Sequence, residues 1–108
     1  MIRLKILDTD WKVYLHPEDT FSRKYGDSDA AFTLVSKQEI HFDSGELSPD
    51  IVRHELWHAF RASLLTHSAA LDSEAEEEIS AELFAVHADK MLRMSRALLK
   101  ELKSESTD

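Results

Sequence analysis

Residues 2–7, Ile-Arg-Leu-Lys-Ile-Leu, alternate apolar and charged side chains, which is the period of a strand with one face buried. Asp8-Thr9-Asp10 reads as a turn, and Trp11 to His16 alternates again, so the N-terminus predicts a β-hairpin. Residues 17–30 form a polar connection with room for a short helix. Ala31 to Val35 and Glu39 to Phe42 predict a second pair of short strands joined by a tight turn, and Gly45 interrupts the pattern. At Ser48 the period changes. Ser48 suits a helix N-cap, Pro49 the first helical position and Asp50 the positive end of the helix dipole. Ile51, Val52, Leu56, Ala59, Phe60, Leu64 and Leu65 follow at helical spacing, and residues 66–72 read as a loop. Ser73 with Glu76 makes a capping-box pattern that opens a long helix to about residue 102, with Ile79, Leu83, Val86, Met94 and Leu98 as core positions.

These elements predict an α+β fold: a small N-terminal antiparallel β-sheet packed on a C-terminal helix pair. One domain is expected over residues 1–103, with 104–108 as a flexible tail. The length of 108 residues suits one domain, and two Gly and two Pro argue against a loop-rich chain. A net charge of −8 with scattered Lys and Arg disfavours nucleic acid as a partner. The absence of cysteine rules out disulfides, thiolate metal ligands and cysteine nucleophiles. The N-terminus lacks the apolar run of a signal peptide and no segment is long enough to span a membrane, so a cytoplasmic location is expected. The oligomeric state is open.

The first helix carries His54-Glu55-x-x-His58. On a helix, residues i and i+4 lie about 40° apart, so the two imidazoles project side by side and can share one metal ion. Zinc suits imidazole and carboxylate ligands. Glu55 lies about 100° from His54, beside such an ion, where its carboxylate can take a proton from water polarised by the metal. A third ligand must come from elsewhere, and Glu74, Glu76, Glu77, Glu78 and Glu82 open the second helix. If the helices pair antiparallel, residues four to eight positions into the second helix reach the level of the histidines. Glu78 and Glu82 both qualify and share a face, whereas Glu74, Glu76 and Glu77 suit the positive helix end.

The pairing of His-Glu-Leu-Trp-His-Ala-Phe with Glu-Ile-Ser-Ala-Glu-Leu-Phe-Ala resembles the ImmA/IrrE-like family of zinc metallopeptidases, within the gluzincin group, over roughly residues 30 to 90. The resemblance implies a minimal metallopeptidase-like domain with Zn2+ as cofactor, His54, His58 and Glu78 as ligands and Glu55 as the catalytic base. It places at Glu82 a residue that supports a ligand histidine, and it suggests a peptide taken as an added strand along the edge formed by Ala31 to Val35. It implies a zinc-dependent metalloendopeptidase that acts on a protein or peptide, such as a phage-related or stress-response regulator. Two features depart from the family. Trp57 stands where glycine is common, and no Leu-Met-Pro follows the second motif. The other reading of the same residues is a non-catalytic zinc-binding module that engages a protein partner. Candidates for contacting substrate or stabilising an oxyanion are His67, Arg61, Trp57 and Tyr25. His87, about 180° around the helix from Glu78, is expected to be structural.

Overall fold

The computed structural model describes residues 1–18, 20–25, 30–65 and 73–106. The fold is α+β. Strands β1 (Ile2–Ile6) and β2 (Thr9–His16) form the first hairpin. A short helix α1 (Thr20–Tyr25) leads to β3 (Ala31–Leu34) and β4 (Glu39–Asp43), with a 3-10 turn at Val35–Lys37 between them. Helix α2 spans Pro49–Leu64. Helix α3 (Ser73–Glu82) runs through a π-helical turn (Leu83–His87) into α4 (Ala88–Ser106).

The sheet order is β1-β2-β4-β3, and β2 pairs with β4 in parallel. The sheet is therefore mixed, not antiparallel as the two hairpin patterns lead one to expect. Both hairpins exist; the difference lies in which strand of the second one abuts the first. Ile40, His41 and Phe42 are buried in succession, whereas every residue of β3 is only half-buried. A strand buried on both faces belongs inside a sheet, so β4 takes the inner position and β3 the edge. The first turn falls on Leu7 and Asp8, a residue earlier than the polar run suggests, and both have positive φ (49° and 67°). Two such residues make the type I′ geometry that matches strand twist.

One sheet face turns Ile2, Ile6, Trp11, Val13, Ile40 and Phe42 toward the helices, where they meet Val52, Leu56, Ala59 and Phe60 of α2 and Leu98 and Leu102 of α4. The opposite face is also covered. Tyr14 and Phe32 each stack on His41, at 4.9 and 4.8 Å between ring centroids, and the fully buried Phe21 of α1 packs on His16 and Phe32.

The cap of α2 forms as the sequence indicates, with the Ile51 N–H donating to Ser48 Oγ at 3.2 Å. The second helix departs from the expected phase at the π turn. Leu83 is 1% exposed but Val86, read as core, is 60% exposed. A π turn holds more residues per turn than 3.6, so the inward face advances from Leu83 to the half-buried His87 and on to Met91, Ser95, Leu98 and Leu102. The helix also continues to Ser106, past the tail expected from residue 104. The burial of Leu98 and Leu102 anchors its last turns, and Lys103 suits the negative helix end. Among the described residues, no helix is long and apolar enough to cross a membrane.

Candidate active site

His54, Glu55 and His58 occupy the middle of α2. The two histidines are exposed, and their Nε2 atoms stand 3.2 Å apart. Two imidazole nitrogens at about 2.05 Å from one tetrahedral ion are separated by about 3.3 Å, so the pair has the spacing of two ligands to a shared metal. Glu55 is buried, at 6% exposure. Its Oε1 accepts a hydrogen bond from Thr33 Oγ1 at 2.8 Å, and its Oε2 lies 4.0 Å from His54 Nε2. Burying a carboxylate is costly without compensating bonds, and here the edge strand supplies one. Glu55 is thus clamped between α2 and β3 with its second oxygen directed toward His54.

A cleft of about 240 Å³ joins these groups, lined by Ala31, Phe32, Thr33 and Val35 along the edge and by His54, Glu55 and His58 along the helix. A second hollow of about 310 Å³ shares Val35 and His58 with it and continues past Arg61, Ala62 and Trp11. Below that hollow the Trp11 indole N–H donates to Ser63 Oγ at 3.0 Å, and Ser63 donates to the Ala59 carbonyl at 2.8 Å, which fixes the sheet against the end of α2.

The acids of α3 do not join the histidines. Among the described residues, no group of three His, Cys, Asp or Glu is gathered for a metal ion. Glu76 is the acid that reaches α2, with Oε1 3.4 Å from an Arg61 amino group, one turn beyond His58. Glu78 is two residues on, about 200° around the helix, and is exposed; Glu82, at the end of α3, is exposed too. Ile79 and Leu83 take the inward face between them.

Of the other candidates, Trp57 is half-buried and packs against the core. Arg61 is engaged with Glu76 and lines the second hollow. His87 faces Phe60 of α2, with ring centroids 6.3 Å apart, which suits the structural role expected of it. His67 and the Tyr25 side chain lie outside what the structure describes.

Two arrangements escape sequence reading. Thr33 is one: its only mark is a hydroxyl at a core-facing strand position. The other is a chain of side chains on the far sheet face. His41 Nε2 is 3.0 Å from Glu39 Oε1, and His41 Nδ1 is 2.8 Å from His16 Nε2. With Glu39 accepting, His41 carries its proton on Nε2, and its Nδ1 accepts from His16. Burial lowers the His16 pKa, nearby His41 and Lys24 lower it further, and Asp43 opposes them. The parallel β2–β4 register places Tyr14 beside His41 and His16 beside Asp43, which no local motif reveals. No family model, curated protein or solved structure matches this chain.

Proposed function

We propose that this chain is a zinc metallopeptidase that hydrolyses peptide bonds in a protein or peptide substrate. The observation that carries the reading is the 3.2 Å separation of the His54 and His58 Nε2 atoms beside the buried, Thr33-held Glu55. His54 and His58 would hold the metal, and by the family resemblance Glu78 would be the third ligand. When bound, zinc supplies Lewis-acid polarisation of a carbonyl oxygen and acidifies water. Glu55 takes a proton from the water that attacks the peptide carbonyl carbon. It then delivers that proton to the amine nitrogen as the C–N bond breaks. Thr33 keeps the carboxylate of Glu55 in place. The position of β3 as an edge strand among the described residues supports alignment of the substrate as an added strand along Ala31 to Leu34. A regulatory protein is the proposed substrate class.

One observation favours a second reading. Glu78 stands exposed and away from the histidines, which suits a zinc-binding or metal-free module that engages a partner without cleaving it. Two measurements decide. Purified protein should carry close to one equivalent of zinc by elemental analysis, lost in His58→Ala. Glu55→Gln should keep the zinc and abolish cleavage of a broad peptide library. A folded, metal-free wild type sinks the peptidase reading, and a zinc-loaded wild type inert on the library establishes the binding module.

A further inference from the structure

The histidine cleft is the first of three hollows that follow one another. It shares Val35 and His58 with the second, and the second shares Trp11 and Gln38 with a third. The sheet register produces this succession. β4 pairs with β2 only from Lys12 onward, so Thr9, Asp10 and Trp11 run past the start of β4. That overhang, the Val35–Lys37 turn and the end of α2 meet around the second hollow. The Lys12 N–H donates to the Gln38 carbonyl at 3.0 Å and ties the turn to β2.

The second and third hollows differ in chemistry. In the second, the polar groups are committed: the Trp11 indole to Ser63, Ser63 to the Ala59 carbonyl, and Arg61 to Glu76. Val35, at 55% exposure, then offers an apolar surface beside Ala62 and Leu65. The third hollow, of about 290 Å³, is charged: Arg3, Lys12 and Lys37 line it against one carboxylate, Asp10. All three cations are exposed and form no ion pair among the described residues. Arg3 and Lys12 stand directly opposite each other across β1 and β2, where like charges repel. On a chain of net charge −8, such a cluster is a local positive field that attracts carboxylates. A peptide added along β3 leaves that edge at Val35, where the second hollow opens, and the third lies beyond Gln38. We propose that the three hollows form one substrate track: a bulky apolar residue sits beside the cleaved bond, and an acidic segment beyond it, on one side of the cut only, is held by Arg3, Lys12 and Lys37. The track rests on the peptidase reading for its first hollow, and on charge and continuity for the other two.

The test uses the full chain and three fluorescent peptides with one shared apolar centre. The first carries a block of Glu on the N-terminal side, the second carries it on the C-terminal side, and the third has Gln throughout. Binding is read by anisotropy on the Glu55→Gln protein, which is expected not to cleave. One Glu peptide should bind about tenfold more tightly than the Gln peptide and lose that advantage in high salt, while the other gains little. The triple variant Arg3→Gln, Lys12→Gln, Lys37→Gln should abolish the preference with an unchanged circular dichroism spectrum. Wild type should cleave the favoured peptide with a KM about tenfold below that of the Gln peptide. Ser in place of the apolar residue between the cut and the Glu block should raise that KM. Equal binding of all three peptides, an equal gain from Glu on both sides, a preference that survives the triple variant, or a KM indifferent to Ser overturns the proposal. In each of those cases cleavage of the Gln peptide leaves the peptidase reading standing. Selective binding that the triple variant removes, without cleavage by zinc-loaded wild type, supports the acidic subsite and sinks the peptidase reading alone.

Discussion

Thr33 Oγ1 donates to Glu55 Oε1 at 2.8 Å, so the edge strand holds the carboxylate that the helix presents. Thr33→Val keeps the side-chain shape and removes the donor. The expected result is a fall in kcat of about tenfold, the scale of one hydrogen bond to a charged group, with KM and zinc content unchanged. Steady-state kinetics on a cleaved peptide, alongside metal analysis, checks this. A kcat equal to wild type would show that α2 alone positions the base.

The third ligand can be located by titrating zinc into alanine variants of the α3 acids. Glu78→Ala should weaken binding by at least about a hundredfold and Glu82→Ala by about tenfold, the effect of losing a group that braces a ligand. Glu76→Ala should change little, since its partner is Arg61. If Glu76→Ala alone releases the metal, the ligand is the acid that already touches α2, and Glu78 has no part in it.

The histidine chain on the far sheet face makes stability depend on pH. The folded chain holds His16 below the ordinary imidazole value of 6.5, so the unfolded chain binds that proton more readily. This contribution is fully present above about pH 6.5 and is lost as pH falls from there toward the folded value. Tm should therefore drop on the order of a few degrees between about pH 7 and pH 5.5, and His16→Gln should flatten that slope. Thermal melts of both proteins across the window decide. An identical slope in the variant would place the proton uptake elsewhere.

The π turn sets which apolar residues of the second helix matter. Leu83→Ala should cost about 2–5 kcal/mol, as for other buried leucines. Val86→Ala should stay within about 0.5 kcal/mol, because the side chain is exposed. Urea titration of each variant measures both. A large loss at Val86 would put that residue back on the inward face and restore an uninterrupted helical period.

Local signals and long-range ones fared differently. The alternation in β1 and the Ser48–Pro49 start of α2 are written in a few adjacent residues, and both appear in the structure as read. The motif on α2 was legible for the same reason, since one helix fixes the relation of His54 to His58. Strand order was not, because it depends on β4 being apolar on two faces at once, a property of the whole sheet. Thr33 and Glu55 are 22 positions apart, and His16 and His41 are 25 apart; only the assembled sheet makes them neighbours. Antiparallel pairing of the helices brought the second helix back along α2, but it could not fix which side of α3 faces the histidines. Ile79 and Leu83 decide that by burial, and they leave Glu78 outside.

The five residues of Leu83–His87 join two segments with unlike duties, α4 anchored in the core and α3 laden with carboxylates. Each residue added to or removed from that join turns one segment against the other by about 100°. A deletion at Ala85 would therefore swing Glu78 and Glu82 to new bearings while leaving every side chain of α4 in its seat. The turn works as a dial between the anchored α4 and the acid-bearing α3: the bearing of Glu78 and Glu82 can be reset by a change in chain length at Ala85, an exposed position where a substitution alone would change little.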